Sequence, residues 1–352
     1  MNCILFNDTR SQKGNWGCEA TTVHFIGVLG KMGYRIQSSL TLHDSYCPKK
    51  LKTFMSDVKK VSYVFVNGEG SLYDQNDCKG RVMIKFMGSC IQMGKTVFLL
   101  NSGYDLKSKS DIALFQRCIS PKFKVLLREP FSLRNFQKHY PAHPVGLQPD
   151  VLFGLNETPR TEILSKLSLS PGRYLLLAGN SNYYRPDRPH FPAVEVYVKL
   201  IKEIERYTSL EIVILSPDMS WMFEVAKKAG KRCIGRGLSW RDAFGIFSGA
   251  KMYISGRYHP SILAALAAVP TQMISANHCK MNGLNELLGN PQPVIDSHSL
   301  DKSFHLIKEF IQKNEDPKVY ETNRVSIREH VERCKNQLKE MSKFIEWEDH
   351  ST

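Results

Sequence analysis

Short apolar runs rich in Val, Ile, Leu, Phe and Tyr alternate along this chain with longer stretches of helical periodicity. That alternation limits the fold more than any other feature. Strand-like runs fall at Cys3–Phe6, Tyr34–Gln37, Tyr63–Val66, Val97–Leu100 and Lys124–Leu127, with helical stretches at Ala20–Lys31, Arg81–Gln92, Ser110–Cys118 and Phe131–His139. Several helical stretches end near a glycine, as at Gly33 and Gly94, which suits a left-handed cap. This order predicts a mostly parallel sheet with helices on both faces. The pattern pauses between Pro149 and Pro171, which reads as a domain boundary. It resumes with strands at Tyr174–Ala178, Glu211–Leu215, Lys231–Ile234, Lys251–Ile254 and Thr271–Ser275, and helical stretches at Ala193–Tyr207, Trp221–Ala229, Trp240–Phe247 and Pro260–Ala267. A polar amphipathic segment, Val319–Trp347, closes the chain. The expectation is an α/β protein of two doubly wound domains facing each other across a cleft. Their bounds are 1–155 and 172–316, with a C-terminal helical segment at 317–352.

Composition narrows the function classes. No apolar run approaches the ~20 residues of a membrane span. The opening Met1–Asp8 reads as a first strand and not as a secretory leader. Nine scattered cysteines without a Cys-x-x-Cys pair argue against zinc ribbons and disulfide frameworks, and for thiols in a reducing cytosol. Lys and Arg number 48 against 34 Asp and Glu, a net charge of +14. Such an excess calls for an anionic partner. The basic pairs Lys49-Lys50 and Lys227-Lys228 form no stripe interleaved with aromatics, so nucleic acid is not expected.

Ligands of doubly wound sheets bind at the carboxyl ends of strands, so chemistry belongs in the turns that follow them. Asn15-Trp16-Gly17-Cys18-Glu19, ahead of a helix, is either an anion-binding helix start or an ordinary turn. It lacks both the Walker A ending and the dinucleotide spacing. Asn67-Gly68-Glu69-Gly70 sets a carboxylate between glycines, as a hydroxyl ligand or base, or as a solvated turn residue. Arg128 either clamps an anion or, the reading favoured, forms a structural ion pair with Glu129 or Asp150. Arg185 and Arg188 lie in the loop after the first strand of the second half, placed for an anion or simply solvated. Ser255-Gly256-Arg257-Tyr258-His259-Pro260 carries the sharpest signal. Arg257 can grip a carboxylate or phosphate bidentately, His259 can donate a proton near neutral pH, and the helix start adds partial positive charge. Lys280, one strand over, adds a cationic point or is a surface lysine, and neighbouring His278 and Cys279 make no metal site without further ligands.

Taken together, these turns resemble the polysaccharide pyruvyltransferase family. The matching positions are Asn15-x-Gly17, Gly68-x-Gly70, Arg128-Glu129 with Ser132, Pro149-Asp150 with Phe153, Ser255-x-Arg257-x-His259, Ala268-Val269-Pro270 and Lys280-x-x-Gly283. The resemblance implies two Rossmann-like domains of the GT-B type, the first on the acceptor side and the second on the donor side. It implies transfer of the enolpyruvyl group of phosphoenolpyruvate onto a sugar of a cell-surface glycan or its precursor, giving a pyruvate ketal. Arg257 and His259 would hold the donor, with Ser255, Lys280, Arg185 and Arg188 beside them, and His259 would protonate the enol carbon. Glu69 or Glu19 would accept a hydroxyl proton, while Asn15, Gly17, Glu19, Gly68 and Gly70 would face the acceptor. Phosphoenolpyruvate is then a substrate, and neither cofactor nor metal is expected. This chain departs from the family pattern in three places. Cys18 stands where an acidic residue often follows Asn-x-Gly, Glu69 interrupts the usual glycine triplet, and the arginine expected after the first strand of the second half is delayed to Arg185 or Arg188.

Two other readings use the same basic cleft. One is a GT-B glycosyltransferase taking a nucleotide-activated sugar, the other a non-catalytic protein that binds an anionic glycan. The expected location is the cytoplasm. Charge beyond the donor site is assigned to a phosphorylated lipid-linked acceptor, or to peripheral contact with the inner membrane face.

Overall fold

A computed structural model describes residues 1–11, 15–74, 79–181, 192–216, 219–235 and 237–341. Its contacts divide the chain into two units. Met1–Ser11, Ala20–Gly154 and Cys334–Thr352 form the first; Gln12–Glu19 and Leu155–Arg333 form the second. The stretch 156–171, which the sequence reading leaves between domains, therefore counts with the second unit, as do Leu155, which that reading places in the first domain, and the described residues 15–19.

The first unit holds strands β1 (Asn2–Phe6), β2 (Arg35–Leu40), β3 (Tyr63–Glu69), β4 (Thr96–Ser102), β5 (Phe123–Leu127) and β6 (Val145–Leu147). They pair in parallel in the order β2-β1-β3-β4-β5-β6. The chain builds outward from β1 in one direction and from β3 in the other, so the sheet switches direction between those two strands. The helices are α1 (Trp16–Lys31), which belongs to this unit from Ala20 on, α2 (Pro48–Val58), α3 (Lys79–Gln92), α4 (Lys109–Phe115) and α5 (Pro130–His139). Side chains alternate across a strand, and here both sets are apolar. Ile4, Phe6, Val64, Val66, Val97 and Leu99 share one core with residues of α2 to α5. Cys3, Leu5, Phe65, Phe98 and Leu100 share another with Phe25 and Leu29 of α1. Burial on both faces is why these strands read as continuous apolar runs and not as alternating ones.

The second unit holds β7 (Tyr174–Asn180), β8 (Glu211–Leu215), β9 (Arg232–Ile234), β10 (Met252–Gly256) and β11 (Thr271–Met273). These are parallel in the order β11-β10-β7-β8-β9, and the direction switches between β7 and β10. The helices are α6 (Glu162–Lys166), α7 (Ala193–Ile204), α8 (Ser220–Ala229), α9 (Trp240–Gly249), α10 (Tyr258–Leu266), α11 (Lys280–Leu287), α12 (Phe304–Glu315) and α13 (Pro317–Lys339). Leu175, Leu177, Ile212, Ile214, Met252 and Ile254 meet α7, α8 and α12 in one core. Gly245 of α9 is pressed against α6 and the residues that lead into it, since a Cβ there would lie 2.1 Å from the Arg160 carbonyl oxygen and 2.8 Å from Ile163 Cγ2. Among the described residues no helix is long and apolar enough to cross a membrane.

Five elements go beyond the sequence reading: α2, β6, α6, α11 and α12. β6 is three half-buried residues at a sheet edge, too short to show a period. α2 is Lys-rich, and its apolar stripe is narrow: Leu51, Phe54, Met55 and Val58.

Candidate functional site

Both direction switches place polar side chains at the carboxyl ends of strands. Crevices for ligands form there because the connections leave toward opposite faces.

In the second unit, β10 ends at the switch beside β7. The register shifts between Ile254 and Gly256, and Gly256 lies opposite Asn180. A Cβ on Gly256 would stand 2.3 Å from that of Asn180, so only glycine closes this turn. Ser255 is fully buried. Its Oγ accepts hydrogen bonds from the Tyr253 hydroxyl at 2.7 Å and the Arg257 N–H at 2.9 Å. Ser255 thus braces the turn on which the cation stands. Arg257 is extended (φ −105°, ψ 120°) and precedes α10. It lines a small cavity with Trp16, Ala178, Leu215, Tyr253 and Pro260, at the ends of β7, β8 and β10. His259, the second residue of α10, is only 7% exposed.

The first turn of α1 packs onto this histidine. A Cβ on Gly17 would lie 2.1 Å from His259 Cβ and 2.8 Å from its Cγ. The missing side chain is what lets the two helix starts approach. Cys18 follows, its Sγ 3.8 Å from His259 Nδ1, and both residues are buried. Asn15 caps the turn, accepting the Cys18 N–H on Oδ1 at 3.4 Å and the Glu19 N–H on its carbonyl at 3.1 Å. Trp16 is buried and donates its indole N–H to the Leu238 carbonyl at 2.9 Å. Glu19 is half-buried and acts electrostatically on Arg241, which pairs with Glu157 at 2.6 Å. Asn15 and Gly17, expected to face an acceptor, therefore build the setting of His259. Lys280 opens α11 and is half-buried. Arg185 and Arg188 lie outside the described residues.

In the first unit, β1, β3 and β4 each end in a residue with left-handed backbone: Asn7 (φ 67°), Glu69 (φ 43°) and Asn101 (φ 52°). Asparagine adopts this conformation readily, whereas for glutamate it costs about 1–2 kcal/mol. Glu69 is 6% exposed, and its Oε1 accepts from the Thr9 hydroxyl at 2.9 Å and the Asn67 amide at 3.1 Å. Asn67 also donates to Thr22 at 3.1 Å and receives the Asn101 amide on Oδ1 at 3.2 Å. Asn7 donates to the Asn67 carbonyl at 2.7 Å, and Asn101 Oδ1 accepts the Val151 N–H at 3.2 Å. Gly68 is a packing requirement, since its Cβ would meet Ser102 Oγ at 2.2 Å. Gly70 is half-buried in the following turn. Thr9, Thr22 and Asn101 were not singled out by sequence reading, although an Asn follows the apolar run at 7, 67 and 101 alike.

The remaining motif residues are structural. Arg128 and Asp150 form a fully buried ion pair at 3.0 Å. Glu129 caps α5, accepting N–H bonds from Phe131 at 2.8 Å and Ser132 at 2.9 Å. Burial pushes its carboxyl above the ordinary carboxylate range despite those bonds.

Comparison with known proteins identifies the family and the fold. Residues 28–278 match the model of the polysaccharide pyruvyl transferase family. The match begins after the Asn15–Glu19 turn and ends before Lys280. A search of the curated proteins found no match. Among solved structures, sucrose-phosphate synthase from Thermosynechococcus elongatus aligns over 100% of both chains, with a TM-score of 0.68 and 10% identity. Phytolacca americana UGT2 complexed with UDP-2fluoro-glucose and pterostilbene aligns over 98% of this chain and 100% of its own, at a TM-score of 0.54 and 10% identity. UDP-N-acetylglucosamine 2-epimerase from Rickettsia bellii aligns over 98% of each, at 0.53 and 13%. These likenesses show the fold, two Rossmann-like domains of the GT-B kind.

Proposed function

The chain belongs to the polysaccharide pyruvyl transferase family, and from that premise we propose that it transfers the enolpyruvyl group of phosphoenolpyruvate onto two hydroxyls of a sugar in a cell-surface glycan or its precursor. The observation that carries this reading is the Ser255–Arg257–His259 turn at the switch of the second sheet, a braced cation beside a buried imidazole at a helix start. The donor carries a carboxylate and a phosphate. Arg257 would grip one of them, and Lys280, Arg185 and Arg188 are the further cations proposed for it. His259 delivers a proton to the methylene carbon of the enol, which leaves positive charge on the neighbouring carbon. The first sugar hydroxyl adds there, the C–O bond to phosphate breaks, and the second hydroxyl completes the ketal. One hydroxyl proton replaces the one that His259 gave, and the other leaves with the phosphate, so the step balances without a redox partner.

The first unit is the proposed acceptor side. Thr9 and Asn67 donate to the Glu69 carboxylate, and Asn7 and Asn101 donate to Asn67 in turn. Such a set suits sugar hydroxyls, and Glu69 is the proposed base. The proposed setting is the cytoplasm, with a lipid-linked glycan at the inner membrane face as one form of the acceptor. The likeness to a UDP-sugar complex makes a nucleotide sugar the competing donor.

The deciding measurement is inorganic phosphate released from phosphoenolpyruvate with and without candidate sugars. Acceptor-dependent release, lost in His259→Ala and Arg257→Ala, is the expected result. Turnover of a nucleotide sugar with none of phosphoenolpyruvate refutes the donor assignment.

A further inference from the structure

The turn Asn15-Trp16-Gly17-Cys18 is held from three sides. Asn15 caps it, Trp16 ties it to the Leu238 carbonyl, and Gly17 lets it rest on His259 without a side chain between. The group so fixed is the Cys18 thiol, 3.8 Å from His259 Nδ1, with both partners buried. The two residues are separated by 241 positions in the chain, so the contact is made by the fold and not by local sequence.

We infer that Cys18 is the positioning residue of His259: its sulfur engages Nδ1, fixes the plane of the ring, and makes Nε2 the nitrogen that delivers the proton. The inference rests on the proposed reaction and assigns it a part that the motif resemblance leaves blank. A thiol is a weak hydrogen-bonding partner, so the sulfur orients the ring chiefly by its fixed place against Nδ1. A carboxylate put in its place would stabilise the imidazolium and make it a weaker acid. Sulfur is also soft and polarizable, which suits a close approach in a buried setting.

The test uses the full-length protein and three variants, Cys18→Ala, Cys18→Ser and Cys18→Asp, each checked for an unchanged thermal midpoint. With phosphoenolpyruvate and a working acceptor, Cys18→Ala should lower kcat by about 10–100-fold, the scale of a misplaced catalytic group. KM for phosphoenolpyruvate should stay within about threefold on the same argument. Cys18→Ser should recover part of kcat. Cys18→Asp should move the basic limb of the kcat–pH profile upward by about one unit or more. A second readout needs no activity. In protein labelled on histidine nitrogen, with His259→Ala giving the assignment, Cys18→Ala should shift the His259 ring resonances and Cys18→Asp should raise their titration midpoint. Ring resonances and midpoint identical in all three variants overturn the contact. Full kcat in Cys18→Ala overturns the positioning role. If no donor is turned over by the wild type, the proposed reaction fails, and the ring resonances still decide whether Cys18 orients His259.

Discussion

Replacing Gly17 by alanine tests the joint between α1 and α10 with a single methyl group. The added Cβ would sit 2.1 Å from His259 Cβ, 2.8 Å from Cγ and 3.0 Å from Nδ1. Carbon atoms rest at roughly 3.5–4.0 Å, so one of the two helix starts must retreat by about 1.4–1.9 Å along that line. The clash is with the stem of His259, which rotation of the ring about its own bonds cannot relieve. The Trp16–Leu238 bond and the Asn15 cap resist movement of the α1 turn, and the braced Ser255–Arg257 turn resists movement of α10. Overpacking of this kind costs about 1–3 kcal/mol. Alanine in place of helical glycine returns about 1 kcal/mol. The net loss of stability is therefore about 0–2 kcal/mol, and the variant folds. Catalysis suffers more, because a displacement of about 1 Å at a reacting group costs about 100-fold. Thermal unfolding and acceptor-dependent phosphate release, measured on one preparation, separate the two effects. A Gly17→Ala protein within threefold of wild-type kcat would refute the reasoning, because the helix starts would then have room that the geometry denies them.

Two further substitutions test the first unit. Glu69→Gln keeps an oxygen for Thr9 and Asn67 but removes the basic carboxylate. It should leave the melting temperature unchanged and lower kcat by about 100-fold or more, the scale of a lost general base; a kcat within a few-fold of wild type would limit Glu69 to binding. Asp150→Asn removes the carboxylate that pairs with the fully buried Arg128 guanidinium at 3.0 Å. It should destabilise by about 3–5 kcal/mol in urea unfolding, and a loss below about 1 kcal/mol would place the pair among the weak ones.

What the sequence reveals is set by how local each feature is. The central strands of both sheets are visible because two-sided burial makes them apolar runs, as in Tyr63–Val66 and Tyr174–Ala178, whereas the half-buried edge strand β6 is not. The Arg257–His259 turn is visible because glycine, cation and imidazole crowd into five residues where a strand meets a helix. α2 was legible in principle, with Leu51, Phe54, Met55 and Val58 at helical spacing, but its lysines dominate the segment. The roles of Asn15, Gly17 and Ser255 were not legible. Each is decided by a partner chosen by the fold: His259 for Gly17, the turn's own N–H groups for Asn15, and Tyr253 with the Arg257 backbone for Ser255. Motif residues that look like ligand contacts in sequence can therefore be parts that shape the turns around Arg257 and His259.

The two direction switches carry different chemistry, and the difference follows from which residues end the strands. In the first sheet, the residues at the strand ends include Asn7, Glu69 and Asn101, all left-handed, and Asn67 links them by accepting from Asn7 and Asn101 and donating to the Glu69 carboxylate. In the second sheet the strand end is Ser255-Gly256, which turns the chain sharply enough to place Arg257 before a helix and His259 within its first turn. A carboxylate among amides and hydroxyls suits polyhydroxylated neutral molecules. A guanidinium and an imidazole at the positive end of a helix suit a small anion that must receive a proton. Each sheet by itself supports only one half of a transfer reaction, and the proposed function assigns the acceptor to the first and the donor to the second on that basis.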